Sequence, residues 1–406
     1  MLQPPPLSIA RVRRWLPLVV GVVVVVGLTA ALLDRFYRDP AFLPPRDFLQ
    51  YWAAGRLNAA GENPYDPDRL LALQRSANRT EAVPVLMWNP PWSLPLVTPF
   101  GLLPPRTAQF AWLLAQLMAV GAAADRLWDA YRGPRGGRLG VPLLALTFYP
   151  FMYLVQTGQS GGWLLLGAAG FLAAGASGPA ALAAVAALAA LKPHLFVPLW
   201  VALATHAVWS ARTRRMLGWG LLGGLSAVAV ATVLNPGVWA DYVAALLRRG
   251  AAGAPGLANW EPPLIGFRVR AAVAPEAMWV QALPTLVAAL VVPVYVWLRR
   301  RSWDWAAELP GLVLAGFIAA PYGAWEHDQI VLLVPIVAGA ARLIRGGTRR
   351  QLLCGAAGYI ALNLAGLSIR DSASFVWLPP LVLLWYAVVT WAVSRGTPAP
   401  GAAQET

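Results

Sequence analysis

The chain alternates between long apolar runs and short polar breaks. Runs of about 15–20 residues, the length that crosses a bilayer core, occupy 15–33, 107–128, 139–155, 160–175, 179–191, 193–210, 216–234, 281–298, 306–320, 329–341, 352–368 and 374–393. Each predicts a helix, because in lipid a spanning segment must satisfy its own backbone groups. An outer-membrane barrel would show short alternating segments instead. One further apolar stretch, 90–105, is interrupted by six prolines and reads as a re-entrant or interfacial segment. The first run follows Arg11, Arg13 and Arg14 and reads as an uncleaved first span.

The polar breaks orient these runs. Arginines cluster at 11–14, 132–138, 212–215, 299–301 and 342–350. An even number of runs separates each consecutive pair, so every cluster can face the cytoplasm. The expectation is an all-α polytopic membrane protein with about twelve transmembrane helices and both termini inside. Residues 1–14 form a cytoplasmic N-terminus, 15–395 a single transmembrane domain and 396–406 a disordered cytoplasmic tail. The two sizeable outer loops are 34–89 and 235–280.

Composition agrees with the pattern. The chain is 58% hydrophobic and only 12% charged, with a mean hydropathy of +0.56. A soluble domain carries nearer a quarter of charged residues. The net charge of +14 comes from arginines in short loops, so it orients the chain and does not signal nucleic acid. The one cysteine, Cys354, has no partner for a disulfide and belongs to no CxxC metal motif.

Candidate chemistry gathers at the outer ends of the runs. RDFLQYWAAG, 46–55, places Phe48, Tyr51 and Trp52 at i, i+3, i+4. That spacing predicts a short amphipathic helix lying on the membrane with its aromatics at headgroup depth. Asp47 falls in its first turn. It either favours the helix dipole or serves as a general base or acid at the water–lipid boundary. In GENPYDPDRL, 61–70, Asp66 or Asp68 reads as a helix cap. Lys192, the only lysine, lies in ALKPHLF with His194 two residues on. It either snorkels or binds a phosphate as a point charge.

Glu326, His327 and Asp328 stand where an outer turn enters a span, a costly place for charge unless it is wet or paired. Gln159 sits in QTGQSGG, whose glycines allow close backbone approach. Arg268 and Arg270, spaced i, i+2, either hold a phosphate or are solvated. His206, inside an apolar run, reads as a satisfied core histidine. No GxGxxG or GxxxxGK[ST] nucleotide motif is present.

With these residues in hand, RDFLQYWAAGRLNAAGENPYDP resembles the DFxxYxxAxxxLxxGxxPYD opening of glycosyltransferase family 87. WNPPW at 88–92 is similar to that family's YNPP stretch, and TGQSG at 157–161 to its GQ-N segment, with Ser160 near the usual Asn. ALKPH at 190–194 is similar to its KP turn, and WEHDQIVLLVP at 325–335 to its HDYDLVLLLP-type stretch. The order is that of the family, and the likeness covers roughly residues 45–340. Trp88 replaces a common Tyr, and WEHD leaves open whether His327 or Asp328 carries the role.

The resemblance implies a GT-C fold and an outward-facing site in the cell membrane. It implies transfer of a hexose, mannose foremost, from a polyprenyl-phosphate sugar to a glycolipid or glycan acceptor. It also implies an acid in the first outer loop as base, a position that Asp47 fills. The candidate site then has Asp47 and His327 as catalytic groups. Around the substrates stand Arg46, Tyr51, Trp52, Asn89, Trp92, Gln159, Lys192, His194, Arg268, Arg270, Glu326 and Asp328. No metal and no cofactor beyond the lipid-linked co-substrate is expected, and the partners are membrane lipids, donor and acceptor. Three rivals stay open: a transporter or flippase, a GT-C enzyme that uses another lipid-linked sugar, and a catalytically dead binding or assembly subunit.

Overall fold

The computed structural model describes residues 47–176, 187–251, 261–369 and 371–396. The expected first span, Arg46, most of the run 179–191 and the tail from 397 onward lie outside the described residues. Every regular element among those described is helical. In chain order they are α1 (Phe48–Ala59), α2 (Pro67–Ser76), α3 (Leu94–Gly101), α4 (Pro105–Ala130), α5 (Gly140–Thr147), α6 (Tyr149–Thr157), α7 (Gly161–Ala176) and α8 (Val197–Ala207). Then follow α9 (Ala211–Leu234), α10 (Val238–Ala251), α11 (Ile265–Val273), α12 (Leu283–Arg299), α13 (Trp305–Ile318), α14 (Leu333–Gly346), α15 (Arg349–Ser368) and α16 (Leu378–Gly396).

Six helical stretches are long and apolar enough to cross a membrane: α4, α9, α12, α14, α15 and α16, three of them extended by a 3₁₀ turn at the N-terminus. The chain is a multi-pass membrane protein. The pair α5 and α6 becomes a seventh crossing if counted as one, but it bends by 65°. The expected run 139–155 is therefore not one straight span. Pro150, in the first turn of α6, lacks the N–H that would continue the α5 ladder.

The other expected crossings are shorter helices or lie outside the described residues. Helices α7, α8 and α13 have 16, 11 and 14 residues. The run 193–210 in particular is corrected: it is a 3₁₀ turn, Pro193–Phe196, followed by the 11-residue α8. At 1.5 Å per residue α8 extends about 16 Å, against a core of about 30 Å. Helix α3 has eight residues, about 12 Å by the same rule.

Helix α14 forms the buried axis of the main core, with Leu333, Val334, Ile336, Val337 and Ala341 fully enclosed. Helices α9 and α15 lie outside, their Leu221, Leu225, Leu353 and Leu364 exposed. Apolar surface that faces outward all along a span is what lipid, rather than water, accommodates. His206 is a satisfied core histidine: its Nδ1 lies 2.8 Å from Thr213 Oγ1 and its ring stacks on Trp303.

A second core decides how the first loop is held. Phe48, Leu49, Tyr51, Trp52, Leu57, Leu94, Val97 and Trp112 pack together. Helix α1 is therefore not the amphipathic surface helix that the spacing predicts. Its residues from Phe48 to Ala54 are all buried, because α3 covers the face that the sequence left for water or headgroups. The approach is close: a Cβ on Gly55 would fall 2.5 Å from Val97 O, and one on Gly101 would fall 2.2 Å from Arg56 N. Asn58 Nδ2 donates to Thr98 Oγ1 across the same contact (3.0 Å). The amphipathic helix of this loop is the next one, α2, which buries only Leu70 and Gln74. Asp66 caps it, accepting from the N–H groups of Asp68 and Arg69.

Candidate active site

Four chain turns converge above the main core. The first is the start of α1, where Asp47 N–H donates to Thr157 O at the end of α6 (3.0 Å). The Asp47 carboxylate makes no capping bond to its own helix, which leaves it available for other partners. The second is the turn after α6. Gly158 ends that helix with φ +68, a left-handed conformation that glycine adopts at no steric cost. Its carbonyl accepts from Trp112 Nε1 (2.8 Å), and Gln159 follows. The third comprises the 3₁₀ turns that flank Lys192, and the fourth is the turn 321–328 that leads into α14. There Gly323 and Ala324 both have positive φ. Gln329 Nε2 holds this last turn by donating to the carbonyls of Ala324 (3.0 Å) and Phe375 (3.2 Å).

Gln159 lies at the centre. Its Nε2 donates to Asp47 Oδ2 (3.1 Å). Its Oε1 accepts from Tyr51 OH (2.6 Å) and Lys192 Nζ (3.3 Å). Lys192 Nζ also donates to Asp328 Oδ1 at 2.7 Å. The two faces of the amide are thus assigned by charge: the ammonium and the phenol need its oxygen, and the carboxylate needs its N–H. Tyr51 stacks on Trp112 with ring centroids 5.2 Å apart. Burial, partly opposed by Lys192, pushes its phenol up to about 12, so it is a neutral donor. Burial also works against the Lys192 charge, yet Asp328, Tyr51 and Asp47 outweigh it and hold the ammonium above the usual lysine range.

These groups face a cavity of about 1110 Å³, within the order expected of a site for a large ligand. Asp47, Tyr51, Asn89, Gln159, Lys192, His194, Glu326, His327 and Asp328 line it, together with Trp88, Tyr242, Tyr322 and Trp325. Asn89 is fixed at both ends: its carbonyl accepts from Tyr65 OH (3.0 Å), and its Nδ2 donates to Leu191 O (3.3 Å). Burial, reinforced by Lys192 and opposed by Asp328, pushes His194 down to about 4. Burial also holds His327 below the usual histidine range. Both imidazoles are neutral at neutral pH. The ring nitrogens of His327 have no hydrogen-bond partner among the described residues, and Asp328 Oδ1 lies 3.7 Å from its Nε2.

Four residues expected around the substrates have partners within the protein. Trp52 is buried in the second core, and its Nε1 donates to Leu103 O (3.1 Å). Trp92 Nε1 donates to Ala190 O (3.3 Å), and its ring packs on Trp239. Both tryptophans brace the walls and do not line the cavity. Arg270 turns toward Phe267 and Met278. Asp328 is fully buried and sits in the cavity wall paired with Lys192. Arg268 stands 3.8 Å from Glu261, which does line the cavity. Arg46 lies outside the described residues.

Several lining residues are not signalled by charge or motif. Tyr242 is on α10, in the second outer loop, and Asp371 lies beyond the end of α15. Asp371 also caps the 3₁₀ turn after it, accepting from Ser374 N and Oγ (both 2.8 Å). Tyr322 and Trp325 border the EHD stretch, and their proximity to it is the signal that could have found them.

The model of glycosyltransferase family 87 matches residues 88–321, more than half of the chain. The chain belongs to that family, and it is a membrane glycosyltransferase. No curated protein and no solved structure matches it significantly. The family match contains Asn89, Gln159, Lys192 and His194. Asp47 and the 326–328 stretch lie to either side of it and join the site through tertiary contacts.

Proposed function

We propose that the chain transfers a hexose, mannose foremost, from a polyprenyl-phosphate sugar to a hydroxyl of a lipid or glycan acceptor, in a GT-C fold whose cavity opens outside the cell membrane. The observation that carries this reading is a carboxylate, Asp47, and an ammonium, Lys192, on one cavity wall and joined through one amide. In this scheme the acceptor oxygen attacks the anomeric carbon. Its proton passes to Asp47 as the new glycosidic bond forms. The bond from the anomeric carbon to the phosphate oxygen breaks, and polyprenyl phosphate leaves with one more negative charge than it had in the donor.

Lys192 answers that added charge. An ammonium has three N–H donors. Two go to Asp328 and Gln159, which leaves one for a phosphate oxygen. A phosphodiester donor carries a single negative charge, which an ammonium with one spare donor can meet. Inversion at the anomeric carbon by direct displacement is what the family likeness implies. Trp88, Tyr242, Tyr322 and Trp325 line the cavity, and aromatic residues are suited to the C–H surfaces of sugars.

The test is transfer from radiolabelled polyprenyl-phosphate mannose to lipids in membranes that hold equal amounts of wild type or Asp47→Asn. Transfer by wild type with a loss of about 10²–10⁴-fold in the variant supports the reading. Equal transfer by both removes Asp47 as base. No transfer by either removes mannose, and glucose and arabinose donors are then compared.

A further inference from the structure

We propose that Gln159 is a positioning residue, not a sugar ligand: its amide decides which oxygen of Asp47 takes the acceptor proton and ties that base to the phosphate cation. The inference rests on the reading of Asp47 as base.

Gln159 is 8% exposed, and both ends of its amide are engaged. Asp47 Oδ2 accepts from Nε2. One lone pair of Oδ2 is thereby occupied, and among the described residues Oδ1 accepts no side-chain hydrogen bond and is the freer oxygen to receive a proton. On the other face, Oε1 accepts from Tyr51 OH, from Lys192 Nζ and, at 3.4 Å, from Ser160 N. Three donors on one carbonyl oxygen, one of them charged, polarise the amide and strengthen its N–H as a donor. Rotating the amide by half a turn would face its NH₂ toward an ammonium and its oxygen toward a carboxylate. The network therefore admits one orientation.

This arrangement also couples the two ends of the reaction. Charge that builds on the phosphate draws on Lys192, and proton uptake removes charge from Asp47. Both events act on the same amide from opposite faces. Four hydrogen bonds at Gln159 are to protein, which leaves one N–H of its amide for anything in the cavity.

The variants Gln159→Leu and Gln159→Glu test the proposal, with Asp47→Asn alongside. All are assayed as full-length protein in membranes, with folded protein quantified. Gln159→Leu has nearly the shape of the amide and neither of its polar ends; kcat should fall about 10²-fold, with the KM for polyprenyl-phosphate sugar changed far less. A raised KM at unchanged kcat would mark Gln159 as a substrate contact and overturn the proposal.

Gln159→Glu provides the readout that a merely structural role would not move. As a neutral acid, Glu at 159 donates O–H to Asp47 and accepts from Lys192 and Tyr51, as the amide does. As an anion it faces Asp47 with like charge, and the two carboxylates then share a proton whose uptake is raised above the ordinary range. Activity relative to wild type should therefore rise at least about tenfold from about pH 8 to about pH 6. A flat ratio across that range overturns the proposal. If Asp47→Asn retains transfer while the glutamate variant shows the pH effect, the base assignment fails and the ordering of the network survives. If Asp47→Asn is dead and both Gln159 variants behave as wild type, the base stands and the positioning role falls.

Discussion

Removing Lys192 should damage folding and catalysis by separable amounts. Asp328 is fully buried, its Oδ1 is 2.7 Å from Lys192 Nζ, and its Oδ2 has no hydrogen-bond partner among the described residues. Lys192→Met leaves that carboxylate uncompensated. Breaking a buried pair from one side costs about 3–5 kcal/mol, and the full burial of Asp328 places this variant toward the upper end. Asp328→Asn leaves the charge on Lys192 instead. Lys192 faces the cavity, its side chain is 12% exposed, and it keeps Gln159 as partner, so a loss of about 2–3 kcal/mol follows.

The double variant Lys192→Met with Asp328→Leu removes both charges. Its stability should return to within about 1–2 kcal/mol of wild type, because two apolar groups replace a pair whose attraction mainly offsets its own desolvation. Transfer should stay lost, since the ammonium proposed to meet the phosphate is gone. The measurement is the thermal loss of folded monomer in detergent, run beside the transfer assay for wild type, both single variants and the double. A double variant whose loss equals the sum of the two singles would show no coupling and refute the argument from burial. A stable double variant with normal transfer would refute the phosphate role.

Two further outcomes separate scaffold from site. Trp52→Phe keeps most of the buried ring but loses the bond to Leu103 O; the expectation is about 1–2 kcal/mol less stability with the KM for donor unchanged, and a KM effect at unchanged stability would place Trp52 at the substrate after all. His194 is held near 4 by burial, below the ordinary histidine value of 6.5. Below pH 6.5 the unfolded chain binds a proton there that the folded chain refuses, so stability falls as pH drops from about 6.5 to about 4 and then levels. The ceiling is about 3 kcal/mol. His194→Asn should flatten that part of the melting profile, and an unchanged slope would mean that other groups carry it.

The membrane class was legible in the sequence because crossing a bilayer imposes a local demand. Each span must be apolar over its own length, and this survives in composition and run length whatever the neighbours do. Motif resemblance likewise reached the family and gathered nine of the cavity-lining residues, since Asp47, Gln159, Lys192 and the EHD stretch are polar groups in unusually apolar surroundings. Helix α1 shows where this reasoning stops. Its i, i+3, i+4 aromatics read as a face against headgroups, yet α3 encloses it through the Gly55–Gly101 contact.

The packing of Trp52 and Trp92 was hidden for the same reason. An aromatic side chain serves a core wall or a sugar pocket equally well by type, and only its neighbours distinguish the two uses. The bend before α6 and the short α8 depend on what packs around the prolines. The central relation of the site, Asp47 to Gln159 to Lys192 to Asp328, joins residues up to 281 positions apart by the numbering. No local rule connects them. Sequence alone determined what kind of solvent the chain must live in and which polar groups are out of place there; tertiary packing decided which of those groups meet, because burial and hydrogen-bond partners are properties of the assembled surroundings.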